Sequence, residues 1–435
     1  MDIRDQAKRD WKLVTRCRIC NSSLLKPYLN LGDSPLPNKL LNFQEDKSQL
    51  YPLSVLYCEN CSLSQLSIIV DPEVMYKDYP YHSSVSQTFK DHCRNMAIDL
   101  KNYFPKVKPH VLDIASNDGC LLKEFREEGY YVAGVEPCKK LADKSREDGI
   151  ETVNEFFSER TLPLIDLSPG YEVITATNVF AHIDDIHSFL KNCHKLLKRE
   201  GILVIEVPYA AELIFKNQFD TIYHEHLSYF LLKSLLRLFE SCDFKIWKVE
   251  EHEIHGGSLR IYASRNSFQA TEWYDAKSGK NIIYPEYINC FYREEKSVRD
   301  MEEFESVNGL YYFKTYKEYA NKVSDIKDHI ISLLEDLKRR GKRVVGYGAS
   351  AKGAMFLNCC NIGTDYIEYI VDDTKEKQGK FIPGVNIPIV SRDYFEVCRP
   401  DYILILSWNF SEELKNKTKY LGTRYITAIP RVELS

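Results

Sequence analysis

From His110 onward, apolar positions along the chain alternate between two patterns. Near-continuous apolar runs at 110–116 (H-V-L-D-I-A-S), 131–137, 171–178 and 201–208 read as strands buried on both faces. Between them, 121–128 and 183–197 carry apolar residues at helical spacing, and 87–104 reads as a helix leading into this unit. Strands alternating with helices predict a parallel, doubly wound sheet, whose ligands sit outside the carboxyl ends of the strands. Further on, Tyr319, Val323, Ile326, Ile330, Leu333, Leu334 and Leu337 mark a long amphipathic helix over 316–337, stopped by Gly341. A second α/β unit follows, with strands at 343–347 and 367–371 and a glycine-rich turn, 346–353, opening a helix between them. Residues 266–301 show no clean period and read as a variable insertion or connection. The fold class is therefore α/β, divided as 1–75, 76–300 and 301–435, with only the first part lacking the alternation.

Composition narrows the function. A chain of 435 residues, 44% hydrophobic and with a net charge of −5, builds several cores and is not a general nucleic-acid or membrane-surface binder. No run approaches a transmembrane helix, and residues 1–12 are charged with no apolar signal core, so a cytoplasmic protein is expected.

The thirteen cysteines are mostly scattered, but Cys17-Arg-Ile-Cys20 and Cys58-Glu-Asn-Cys61 form two C-x-x-C pairs. Two such knuckles close a tetrahedral four-sulfur site, which predicts one structural zinc per chain with no open coordination position. The aromatic and basic interleaving of a nucleic-acid binder is thin.

The first α/β unit offers a cofactor site. Asp113 and the turn Ser116-Asn117-Asp118-Gly119 follow the first strand, and Glu136 ends the second, where an acid accepts ribose hydroxyls. No G-x-G-x-x-G cradles a pyrophosphate, so a ribose ligand without phosphates, such as S-adenosylmethionine, fits better than a dinucleotide. Asn178 and His182 end the third strand on the same crevice. The stretch 76–84 (Y-K-D-Y-P-Y-H-S-S) reads as a linker or as a ligand-contacting lid. As a lid it would give Tyr79 and Ser84 to the cofactor and Tyr81 to the substrate.

Tyr223, His224, Glu225 and His226 stand in four consecutive positions. Imidazole, carboxylate and phenol together suit removal of a proton beside a carbonyl. In extended backbone His224 and His226 would share a face, so spacing alone does not choose between them. In the second α/β unit Gly348, Ser350 and Lys352 make an anion site at a helix start, and Gly257 and Ser258 mark a close backbone approach. Rival readings are an O- or N-methyltransferase on the same scaffold, a non-catalytic zinc-ribbon nucleotide binder, and an NAD-dependent enzyme using 346–353 and Asp372.

The paired C-x-x-C, D-Y-P-Y-H-S-S (78–84), D-I-A-S-N-D-G (113–119), N-V-F-A-H-I (178–183), Y-H-E-H-L-S-Y-F (223–230), H-G-G-S-L-R (255–260) and G-Y-G-A-S-A-K-G (346–353) occur in order along the chain. In this series the sequence resembles the sugar C-methyltransferases that act on nucleotide-linked keto-deoxysugars. The resemblance implies a zinc-binding N-terminal domain, a central class I methyltransferase domain for S-adenosylmethionine, and a C-terminal Rossmann-like domain holding the nucleotide diphosphate. It also implies His226 as the base, with Tyr223, Glu225 and His182 beside it, and Cys17, Cys20, Cys58 and Cys61 as zinc ligands. The implied reaction is methylation at a sugar carbon, C3 beside a C4 ketone, through an enolate.

Overall fold

A computed structural model of the chain describes residues 10–76, 83–85, 87–104, 107–165, 170–266, 273–275, 280–282 and 285–435, without side chains at 85 or between 267 and 295. Its central sheet has seven strands in the order Phe244–His252, Ser258–Arg265, Leu197–Pro208, Tyr171–Thr177, His110–Ile114, Tyr131–Val135, Glu151–Val153. The five strands from Leu197–Pro208 to Glu151–Val153 pair in parallel. Ser258–Arg265 runs antiparallel to both neighbours, because the short link after His252 has no room for a crossover helix. The parallel expectation therefore holds for five strands and fails at this edge.

Alternate residues of each strand face opposite layers. Val111, Val173 and Val204 pack with Met96, Leu122 and Phe125 from the helices Gln87–Lys101 and Cys120–Glu127. Leu112, Ile174 and Leu203 pack with Phe189 and Leu235 from Ile186–Leu196 and Leu232–Ser241 on the other face. Strand order reverses at His110–Ile114, so the loops leaving His110–Ile114 and Tyr171–Thr177 part and open a crevice.

The C-terminal sheet has six strands in the order Ile389–Val390, Ile370–Val371, Val344–Tyr347, Tyr402–Ile405, Arg424–Thr427, Glu433–Leu434, all parallel except the last. The helix Phe313–Arg339 precedes it and buries Tyr316, Tyr319, Val323, Ile326, Ile330, Leu334 and Leu337, a stripe at three- and four-residue steps. Gly341 follows in the left-handed region at φ 64°, where glycine carries no Cβ penalty.

Residues 266–301 correct the reading of a plain connection. They hold the strand pair Trp273–Asp275 and Lys280–Ile282, and the start of a helix, Pro285–Val307. In its described half this helix buries Val298, Met301 and Glu305. So thin a stripe, broken by the charged run Arg293-Glu-Glu-Lys296, leaves no clean period in the sequence.

In the N-terminal part an antiparallel sheet runs Ser228–Tyr229, Ser64–Leu66, Tyr51–Cys58, Leu25–Ser34. Its edge strand comes from the central part of the chain, two residues after His226. The N-terminal part is thus stitched to the turn that carries the candidate base.

Candidate active site and cysteine cluster

The sulfurs of Cys17, Cys20, Cys58 and Cys61 all lie within 4.8 Å of one another. Cys17 is 3.4 Å from Cys61, and Cys20 is 3.5 Å from Cys58. Four thiolates on a tetrahedral zinc at about 2.3 Å stand about 3.8 Å apart, so the cluster fits that ion. Each knuckle is closed by a backbone bond, Asn21 N to Cys17 O and Ser62 N to Cys58 O, both 2.9 Å. Asn21 and Ser62 both sit in the left-handed region, at φ 54° and 64°. Four sulfurs fill the ion, which makes it structural. Between Cys17 and Cys20, Arg18 donates from Nη1 to the Leu227 carbonyl at 2.8 Å and to Ser228 Oγ at 3.1 Å.

A cleft of about 2130 Å³ lies where the three parts meet. Sites for single drug-sized ligands run to about 1,000 Å³, so two ligands can share it. At one end, Asp113, Ser116, Asn117, Glu136 and Asn178 line the wall, as does Ser84. Burial pushes the Asp113 carboxyl up to about 7, opposed by a 2.7 Å hydrogen bond from Thr175 Oγ1. Glu136 accepts the backbone N–H of Asn117 at 2.9 Å and of Cys138 at 2.8 Å, one on each oxygen. Each oxygen keeps a lone pair for a ligand hydroxyl. Ser116 Oγ and Asn178 Oδ1 are buried without a protein partner, which suits a polar ligand at this end. Asp118 and Gly119 do not line the cleft. Asp118 accepts from Ser84 N at 3.2 Å and Ser84 Oγ at 2.5 Å, pinning the turn Ser83–Val85 over the crevice. Tyr79 and Tyr81 lie outside the described residues.

At the centre stand His182, Tyr223 and His226. The His226 ring is 4.1 Å from that of Tyr223 and 5.1 Å from that of His182, between centroids. Residues 223–226 form a turn, with His226 N bonded to the Tyr223 carbonyl at 2.9 Å, and are not extended. The two-residue period therefore does not operate, and the two histidines point apart. His226 Nδ1 lies 2.7 Å from the Thr221 carbonyl. Since a carbonyl only accepts, the proton sits on Nδ1 and Nε2 carries the lone pair. His224 is buried outside the cleft, 3.2 Å from the Pro52 carbonyl through Nε2. Glu225 is also buried away from the cleft wall and accepts from Asn38 Nδ2 at 2.6 Å. Burial lowers His182 and His224 to about 4. It holds His226 well below its ordinary range, helped by the Lys352 cation and, at low pH where that ring too would charge, by His182. All three are neutral near pH 7.

At the far end, Ser350, Ala351 and Lys352 line the cleft at the start of the helix Ala351–Cys359. Ser350 caps that helix, accepting from Gly353 N at 3.1 Å. Asp372 takes the N–H of Ala349 and of Thr374, both at 2.8 Å. Gly348 lies behind the wall at φ 95°, where a Cβ would come 2.3 Å from Ser407 Oγ. Gly257 and Ser258 also sit behind it. A Cβ on Gly257 would meet Glu212 at 2.5 Å, and their neighbours Ile254 and His255 form the wall instead.

Sequence reasoning missed several residues here. Tyr76 stacks on His182 at 5.9 Å with a 10° tilt. Buried Arg260 bonds Glu206 at 2.9 Å and His92 at 2.8 Å beside the same cleft. Asp220 and Trp408 pair at 2.7 Å. The first had a signal in the tyrosine-rich stretch. The other pairings join distant segments and had none.

Three family models match consecutive parts of the chain: "Putative zinc binding domain" over 17–76, "Methyltransferase domain" over 89–249 and "C-methyltransferase C-terminal domain" over 289–430. The C-methyltransferase NovU of Streptomyces niveus is 32% identical over 425 residues, covering 96% of each chain. A ubiquinone biosynthesis O-methyltransferase of Rhodopseudomonas palustris (strain TIE-1) is 29% identical over 120 residues, 26% of this chain and 45% of the relative. A crystal structure of magnesium protoporphyrin IX methyltransferase from Synechocystis with bound SAM aligns at a TM-score of 0.31 and 14% identity, covering 41% of this chain and 79% of that one. With a relative of one-third identity matched almost from end to end, the chain belongs to the S-adenosylmethionine-dependent C-methyltransferase family.

Proposed function

We propose that the protein methylates C3 of a nucleotide-linked 4-keto-deoxysugar, with His226 as the base and an enolate as the intermediate. The observation that carries this reading is the tautomer of His226: with Nδ1–H spent on the Thr221 carbonyl, Nε2 is the nitrogen left for substrate. Nε2 takes the C3 proton, and the C–H pair moves into the C3–C4 bond as the carbonyl becomes an enolate oxygen. S-adenosylmethionine, when bound, supplies an electrophilic methyl whose C–S bonding pair stays on sulfur. Tyr223, packed on His226, offers its phenol to the enolate oxygen, and neutral His182 and Tyr76 wall the site from water. Glu225 and His224 act by fixing the turn. The diphosphate is assigned to the backbone N–H groups at Ser350–Lys352, with Lys377 beside them on the cleft wall. Eight cysteines outside the four-sulfur cluster, none of them in a disulfide among the described residues, suit a reducing cytoplasm.

A panel of nucleotide-linked 4-keto sugars incubated with S-adenosylmethionine, scored by mass and by carbon-13 labelling of the methyl, tests the reading. A methyl on C3 supports it. An O-methyl product, or no product with any keto sugar, overturns it.

Glu136 is assigned to the cofactor ribose. Glu136→Ala should weaken S-adenosylhomocysteine binding by about 1.5–3 kcal/mol per lost charge-assisted hydrogen bond. Unchanged affinity by calorimetry would remove the ribose assignment.

A further inference from the structure

Lys352 opens a helix in the C-terminal part, yet its side chain leaves that part. Its Nζ donates to the carbonyl of His255, in the central part, at 2.7 Å. The ammonium stands 5.1 Å over the ring of Trp408, whose Nε1 donates to Asp220 Oδ2 at 2.7 Å. The next residue after Asp220 is Thr221, whose carbonyl holds Nδ1 of His226. Thr221, Tyr223, His226, His255 and Lys352 all line the cleft. Burial pushes the Lys352 pKa down, opposed by the charge of buried Asp220, and the cation in turn helps to press His226 and His255 down.

An ammonium has three N–H bonds. The His255 carbonyl takes one, and the others meet no protein acceptor among the described residues. Lys352 lines the cleft half-buried, so a ligand oxygen in the cleft can complete its remaining N–H bonds. Two ligand oxygens qualify, one on the diphosphate and one on the sugar carbonyl. The diphosphate already has the helix start at Ser350–Lys352, from which Nζ is drawn away towards His255. The sugar carbonyl belongs beside His226.

We propose that Lys352 is a catalytic residue whose ammonium donates to the carbonyl oxygen of the keto sugar and holds its charge as the enolate forms. No proton leaves the lysine; His226 keeps the C3 proton until the methyl has been transferred. The proposal rests on the enolate reading and divides the reaction centre between two parts of the chain. The base comes from the central part and the cation from the C-terminal part, so a substrate that bridges them completes the site.

The test uses full-length Lys352→Met and Lys352→Gln; the second keeps a donor for the His255 carbonyl if the first fails to fold. At saturating nucleotide sugar, in deuterated water and without S-adenosylmethionine, both should exchange the C3 hydrogen about 100- to 1,000-fold more slowly than wild type. Thymidine diphosphate and uridine diphosphate, titrated alone, should bind close to wild-type affinity. Exchange at the wild-type rate in the Gln variant would overturn the proposal. So would a loss of diphosphate affinity with exchange intact at saturation, which assigns the lysine to the phosphates. Failure of the enolate reading looks different: wild type itself would methylate the sugar without ever exchanging C3.

Discussion

His226→Asn is expected to bind cofactor and nucleotide sugar and to lose turnover by about 100- to 10,000-fold, the usual worth of a positioned general base. The amide can keep the hydrogen bond to the Thr221 carbonyl, so the turn should survive while the basic nitrogen is lost. In deuterated water without cofactor, wild type should wash out the C3 hydrogen and His226→Asn should not. His224→Asn should change the rate far less, because His224 lies against the Pro52 carbonyl outside the cleft. Persistent exchange in His226→Asn would hand the base role to another residue.

The pH dependence has a definite sign. His226 is held below its ordinary 6.5, so its base form is present above that depressed value and is lost as pH falls through it. The acid limb of kcat/KM, which reports the free enzyme, should therefore lie below pH 6.5. A low pKa makes a weak base in the free enzyme, where an imidazolium would sit buried beside Lys352. The enolate supplies the missing counter-charge only as the proton moves, which favours concerted transfer over prior protonation. Stability needs a parallel control. His182, His224 and His255, lowered to about 4, bind fewer protons folded than unfolded, so stability drops as pH falls from 6.5 towards 4. Asp113 and Asp220, raised to about 7 and about 6, act the opposite way from there down to their unfolded value of 3.8.

The parts of this molecule that were legible in the sequence are those where neighbours along the chain are neighbours in space. The two C-x-x-C knuckles, the apolar strands and the stripe of Phe313–Arg339 are local patterns, and each appears within a few residues of its expected place. The Tyr223–His226 cluster was visible as chemistry but not as geometry. One backbone bond from His226 N to the Tyr223 carbonyl turns the segment, and that sends Glu225 to Asn38 and His224 to Pro52. Residues joined across the chain left no trace. Trp408 meets Asp220 from 188 positions away, and Arg18 meets Leu227 from 209.

That last contact gives the zinc a consequence beyond its own domain. Metal analysis of protein purified without chelator should find about one zinc per chain, since four thiolates fill a tetrahedral ion. Such an ion contributes folding energy, with apparent binding of about 10–16 kcal/mol in small zinc modules, so Cys58→Ser should cut soluble yield sharply. The knuckle it closes contains Arg18, whose guanidinium holds the Leu227 carbonyl and Ser228 Oγ immediately after His226. Leu227 also accepts from Leu66 N at 3.0 Å, and Ser228–Tyr229 pairs with Ser64 and Gln65 beyond the second knuckle. Stripping the metal should therefore loosen the far side of the base turn while the cofactor crevice, built on the central sheet, stays formed. Chelated protein that remains soluble should bind S-adenosylhomocysteine nearly as wild type does, yet lose C3 exchange in proportion to the zinc removed. Arg18→Ala with zinc intact should reproduce part of that loss, because it cuts the tie and leaves the ion. Zinc-free protein with undiminished exchange would show that the knuckle holds only itself.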